Sequence, residues 1–214
     1  MINKDTKVCI SISKNAGNFG CNMHNALFKK HDLNFIYKSF SVDDLDGAVM
    51  AIKALKIRGA GVSMPYKVEV ISLLNKVSRE VVEIGSVNTI VNEKNVLTGY
   101  NTDAYSSETL LREKMAESNI KNLVILGNGG YSKAVLYSAK KLEMEVCKIT
   151  RSDWNKIKDL RNLIVFNCTP VRNLEKIIHE SCIFIDCDTN TETGSRLATL
   201  QGEKQFELYT GIEL

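Results

Sequence analysis

Lys67 and Asp103 are the two side chains of this sequence whose setting suits proton transfer. Lys67 ends the stretch "GAGVSMPYK", in which Ala60 to Met64 reads as a buried strand. Pro65 stops that strand by removing a backbone donor and fixing φ. Asp103 closes "YNTD", and Ser63, Asn88 and Thr89 of "SVNT", Asn101 and Thr102 add polar groups nearby in the pattern. In α/β sheets such groups gather at the carboxyl ends of strands, where ligands bind. An amine and a carboxylate converging there can trade a proton with a hydroxyl or carbonyl. Taken alone, Lys67 reads more readily as a surface lysine at a helix start, although a cation there is mildly unfavourable against the dipole.

A second group of residues points to a phosphate. In "NLVILGNGGYSKAVLYSAKKL" an apolar strand runs into Gly127, Gly129 and Gly130, and a helix follows at once. Glycines permit the tight turn and let a pyrophosphate approach the backbone, and the helix start offers N–H groups and a favourable dipole. The spacing is a relative of the dinucleotide fingerprint, with Ser132 in the place of its third glycine. The next strand ends in Thr150, Arg151 and Ser152, where a site for NAD would carry an acidic residue. Arg151 suits a 2′-phosphate through charge-assisted hydrogen bonds, which favours NADP. Asp153 follows closely and leaves NAD open.

Along the chain, short β-rich runs alternate with helical ones. Strands are expected at 7–13, 34–40, 59–64, 86–92, 122–127, 145–151, 162–168 and 182–187, and helices at 21–31, 43–56, 66–75, 103–117, 130–142 and 173–180. This alternation predicts an α/β protein with mainly parallel sheets. The boundary falls near residue 102. Residues 1–102, with a C-terminal helix over 195–214 packing back on them, are expected to form an N-terminal α/β substrate domain. Residues 103–194 are expected to form a shortened Rossmann-type domain for NADP.

The 214 residues are 44% hydrophobic and 25% charged, and carry a net charge of +3. That mild charge suits anionic small ligands and gives no reason to expect nucleic acid. The apolar runs are far shorter than the roughly 18 residues of a membrane span, and the start does not resemble a signal peptide. Six cysteines are scattered without a CxxC pair, and three histidines give no zinc spacing. No metal is expected, and free thiols in the cytoplasm are the reading. No exposed apolar stripe stands out, so a homodimer is admitted but not demanded.

Together "VSMPYK", "SVNT", "YNTD", "ILGNGG", "TRS" and the tail "QGEKQFELYTG" resemble, in order, the motifs of the shikimate dehydrogenase family. The start "NAGNFGCNMHNALF" is most similar to its shikimate dehydrogenase-like paralogue group. The resemblance implies reversible hydride transfer between NADPH and the ring carbon of 3-dehydroshikimate, giving shikimate. It implies Lys67 and Asp103 as the catalytic dyad. It also implies Ser63, Asn88 and Gln201 at positions that hydrogen-bond the substrate's hydroxyls.

The chain departs from the family pattern in four places. Asn18 and Gly20 stand where two serines bind the substrate carboxylate, and a lost hydrogen bond to a charged group costs about 1.5–3 kcal/mol. "NCTPVRN" carries Arg172 where the family has glycine, which reads as a solvent-facing side chain or an anion contact. The stretch between "TRS" and "NLIVFNCTP" is short. "DCDTN" lacks the family's tyrosine. Two readings therefore stand: an NADP-dependent dehydrogenase of shikimate, quinate or a related cyclic hydroxy acid, or a weakly active or non-catalytic paralogue that binds NADP(H) or a metabolite.

Overall fold

The computed structural model describes residues 2–214. The chain divides into two compact units, one running up to Thr102 and including Gln201–Leu214, the other Asp103–Leu200.

The first unit holds β1 (Lys7–Ser13), α1 (Phe19–Lys30), β2 (Phe35–Ser41), α2 (Leu45–Ala54), β3 (Gly59–Val62), β4 (Lys76–Val77), α3 (Arg79–Ile84), β5 (Thr89–Glu93) and β6 (Val96–Tyr100). Its sheet runs β2-β1-β3-β5-β6-β4. β1 is parallel to β2 and β3, whereas β3, β5 and β6 pair antiparallel. The expected parallel sheet is thus mixed here. The β5–β6 pair is a hairpin turning at Lys94 and Asn95, whose φ angles of 51° and 67° are those of a two-residue type I′ turn. Strand alternation splits the core between two faces. Ile10, Ile12, Ile52, Val62, Ile90 and Leu97 line one. Cys9, Phe28, Tyr37, Val91, Phe206 and Tyr209 line the other.

The second unit holds α4 (Thr102–Ser118), which begins one residue earlier, β7 (Asn122–Leu126), α5 (Gly130–Lys141), β8 (Glu145–Ile149), β9 (Ile164–Asn167), β10 (Ile183–Asp186) and the start of α6 (Glu192–Thr210). All its strands pair parallel in the order β10-β9-β7-β8. This matches the doubly wound pattern with its third strand absent, so β8 ends the sheet. A 3₁₀ turn, Arg151–Asp159, spans the gap from β8 to β9.

Two expected helices are shorter than their periodicity suggests. Residues 66–75 give turns and a 3₁₀ segment, Glu69–Leu73, because Val68, Val70, Ile71 and Ser72 are poor helix formers. Residues 173–180 give only the 3₁₀ turn Leu174–Lys176, entered through Asn173 in the left-handed region. The last helix starts earlier than residue 195. Thr191 accepts the Gly194 N–H at 3.1 Å, as an N-cap does, and Glu192 sits in the first turn. Its final turns pack into the first unit so closely that a Cβ on Gly59 would lie 2.2 Å from the Tyr209 ring.

Candidate functional site

In the first unit the site is a chain of buried amides and hydroxyls centred on Asn88. Val62 N–H donates to Asn88 O at 2.7 Å, which fixes this residue against the end of β3. Asn88 Nδ2 donates to Thr102 Oγ1 at 2.9 Å and to Gln201 Oε1 at 3.3 Å. In return Thr102 N–H donates to Asn88 Oδ1 at 2.8 Å. Thr89 Oγ1 donates to that same oxygen at 2.8 Å. Gln205 Nε2 donates to Thr89 Oγ1 at 2.9 Å and to Asn88 O at 3.2 Å. His24 Nε2 meets Gln205 Oε1 at 3.3 Å.

His24 carries this network into the apolar face of α1. Its ring stacks on Tyr37 at 4.4 Å, and its Nδ1 is buried without a partner. Burial pushes its pKa down from 6.5 to about 4, against a smaller upward pull from Gln205, so the ring is neutral. Asn25 beside it holds β2 in place: its Nδ2 donates to Tyr37 O and its Oδ1 accepts Tyr37 N–H, each at 2.9 Å.

Lys67 is half-buried, and its backbone is tied to the same network. Lys67 O accepts the N–H of Val87, the residue before Asn88, at 2.7 Å. The turn that presents it is built by Ser63, whose N–H donates to Ile12 O at 2.9 Å and whose carbonyl accepts Tyr66 N–H at 3.0 Å. Tyr66 Oη anchors the turn from below by donating to Val42 O at 2.6 Å. Ser63 itself is exposed at the carboxyl end of β3.

Asn88 and Gln201 are therefore in direct contact, and Lys67 and Ser63 sit on backbone bonded to the same strand ends. Asn18 is exposed just before α1 and its side chain caps nothing. Beside it, a Cβ on Gly20 would lie 3.5 Å from the Tyr37 ring, an ordinary contact distance. Thr102 was named among the polar groups, whereas Gln205 and His24 are members of the network that sequence reasoning did not assign. The spacing of Gln201 and Gln205, one turn apart on α6, was their available signal.

In the second unit Asp103 is 3% exposed in the first turn of α4, directly after Thr102. Ser138 of α5 donates to Ala104 O at 2.8 Å, which fixes that turn against α5. Tyr131, at the start of α5, faces the same place. Its hydroxyl is pushed well above its ordinary pKa by burial first and then by the Asp103 charge.

The glycine turn has the features a pyrophosphate needs. Gly127 has φ +106°, a conformation that favours glycine, and a Cβ there would lie 2.9 Å from Thr169. Around Gly129 the space a side chain would take is open. The helix that starts at Gly130 has Gly129 as its N-cap residue, which brings no side chain of its own to the turn. At the end of β8, Thr150 and Ser152 share a hydrogen bond of 3.0 Å. Arg151 is exposed and engages no carboxylate among the described residues, whereas Asp153 is held by Lys156 at 2.7 Å. The residues present fit a phosphorylated dinucleotide better than one whose ribose needs a free acid. Arg172 pairs through Nε with Asp188 at 2.8 Å while staying largely exposed. Among the described residues no group of three or more metal-ligating side chains occurs, and no helix is long and apolar enough to cross a membrane.

Comparison with known proteins places the chain among relatives. Residues 18–90 match the family model of the shikimate dehydrogenase substrate binding domain. The "Shikimate dehydrogenase-like protein" of Haemophilus influenzae is 42% identical over 149 residues, 70% of this chain and 55% of that protein. The "Shikimate dehydrogenase (NADP(+))" of Pyrococcus furiosus is 46% identical over 121 residues, 56% of this chain and 44% of that protein. The chain thus spans about half the length of the curated relatives it matches. Among solved structures, a shikimate 5-dehydrogenase-like protein superposes with a TM-score of 0.83 at 30% identity, covering 100% of this chain and 95% of that one. The chain belongs to the shikimate dehydrogenase family.

Proposed function

We propose that this protein is an NADP-dependent dehydrogenase of shikimate or a closely related cyclic hydroxy acid. The observation that carries the reading is the Asn88 network. One buried amide bonds Gln201 and Thr102 while its neighbour Val87 holds the Lys67 turn. Such an arrangement fixes donors and acceptors for a polyhydroxylated ring before the ligand arrives, which lowers the cost of ordering them on binding.

In this reading the first unit binds the ring acid and the second binds NADP. NADP supplies the hydride acceptor when bound. Asn88 and Gln201 orient the ring through its hydroxyls, and Ser63 adds a further hydroxyl contact. Asn18 offers its amide to the carboxylate. Lys67 and Asp103 are the groups assigned to take the hydroxyl proton in oxidation and return it in reduction. Gly127, Gly129 and Gly130 take the pyrophosphate, and Thr150, Arg151 and Ser152 the 2′-phosphate. Six cysteines outside any disulfide suit a reducing compartment, and the cytoplasm is the setting proposed.

A second reading, a binder of NADP(H) or a metabolite with little activity, draws support from the shortened sheet ending at β8 and from the bare Gly20. One experiment separates them. Thermal stabilisation by NADPH is measured alongside reduction of NADP with shikimate and with quinate. Stabilisation with turnover supports the dehydrogenase, and stabilisation without turnover on either acid supports the binder.

A further inference from the structure

Cys168 and Cys187 follow directly on β9 and β10, and the strand register makes them a pair. The ladder matches Ile183 with Ile164 through to Asp186 with Asn167. Cys168 and Cys187 come next on the two strands, and the last rung holds them side by side: Cys187 N–H donates to Asn167 O, the carbonyl bonded to Cys168, at 3.2 Å. Adjacent strands lie ~4.8 Å apart, and disulfides bridge Cα atoms roughly 4.4–6.8 Å apart.

Side chains of register partners point to one face, and this sheet shows them meeting. Asn167 Nδ2 donates to both Asp186 carboxylate oxygens at 3.2 Å. The next pair, Cys168 and Cys187, falls on the opposite face, that of Ile164, Phe166 and Ile185 beneath α5. Both thiols are half-buried, so a small oxidant reaches them. Just beyond them the Arg172–Asp188 ion pair joins the same two loops. Cys182 is excluded as the partner, since it packs in the apolar cluster on the other face.

From this juxtaposition we propose that Cys168 and Cys187 are a modification site, a dithiol that a hydroperoxide converts reversibly to a disulfide. One sulfur attacks the peroxide O–O bond, forming a sulfenic acid and releasing water or an alcohol. The second sulfur displaces the sulfenic oxygen as water and forms the S–S bond. The thiols lose two electrons and the peroxide gains them, and both thiol protons end in the released water or alcohol. The site lies beside Tyr131, whose hydroxyl senses burial first, then Asp103, Cys187 and Cys168. Oxidation there acts on the part of the second unit that holds the start of α5.

The inference does not depend on the dehydrogenase reading, and its test reads covalent structure. The full chain is treated with hydrogen peroxide under native conditions, blocked with a maleimide, digested with trypsin and mapped by mass spectrometry. Arg172 and Lys176 lie between the two cysteines, so trypsin separates their peptides. The expected product is one cross-linked pair, Cys168 with Cys187, short of two hydrogens, reversed by dithiothreitol and absent from Cys187→Ser. Maleimide on both cysteines after peroxide, separate oxidation to sulfinic acids, or a cross-link confined to other cysteines overturns it.

Discussion

Asn88 Nδ2 bonds Thr102 Oγ1 at 2.9 Å, and Thr102 immediately precedes Asp103. The amide that contacts Gln201 therefore also fixes the residue from which the candidate carboxylate starts its helix. Truncating it disturbs both roles. Asn88→Ala removes the Oδ1 that accepts from the buried Thr102 N–H and Thr89 Oγ1, and each unsatisfied group costs about 1–3 kcal/mol. Urea unfolding should register a loss of that order. An unchanged midpoint would mean that the network is not structural.

Arg151 should govern the choice of cofactor. Arg151→Gln keeps a polar side chain and removes the charge offered to a 2′-phosphate. Loss of a charged hydrogen bond of about 1.5–3 kcal/mol predicts roughly 10- to 100-fold weaker NADPH binding, with NADH binding little changed. Calorimetric titration of both cofactors reads this, and equal weakening of the two would remove the phosphate from the account.

Gly20→Ser puts a hydroxyl where the family resemblance implies a serine for the substrate carboxylate. The added Cβ meets the Tyr37 ring at 3.5 Å, so the variant should fold as the parent does. One recovered charge-assisted hydrogen bond predicts roughly tenfold tighter binding of shikimate. Unchanged affinity in a folded variant would show that the ring acid does not place its carboxylate there.

Gly59→Ala tests the seat of the C-terminal helix. Its Cβ would lie 2.2 Å from the fully buried ring of Tyr209, whose backbone carbonyl also accepts Arg58 Nε at 2.8 Å. Overpacking of this kind costs about 1–3 kcal/mol or more, which thermal unfolding would register as a lower midpoint.

His24 should make stability pH-dependent. Its folded pKa is lowered to about 4 from 6.5, so between these values the unfolded chain binds a proton that the native one does not. Stability is fully present above about pH 6.5 and falls as pH drops toward 4, by on the order of 3 kcal/mol from this group. Comparing parent and His24→Gln by urea unfolding at neutral and mildly acidic pH should show a flatter profile in the variant. Parallel profiles would rule out a buried neutral imidazole.

Much of the second unit was legible because its signals are local. Gly127, Gly129 and Gly130 lie between an apolar strand and a helix within a few residues, and backbone sterics leave few alternatives. The first unit was less legible. The antiparallel hairpin depends on Lys94 and Asn95 adopting positive φ, and neither is glycine. In the second unit, the apparent helix at 173–180 had the spacing but not the length, and a left-handed Asn173 precedes it. At the site, Asn88 and Gln201 could be named from the resemblance, but their hydrogen bond could not, since they are far apart in sequence. Gln205 and His24 were missed for the same reason: each matters through a partner on another element.

The account rests most directly on Lys67. Rates of NADPH formation from NADP with shikimate should be measured for the parent and for Lys67→Ala, with NADPH binding checked in both. The account predicts turnover by the parent, a loss of about 10²–10⁴-fold in the variant, and cofactor binding intact. Equal rates in the two proteins would contradict it.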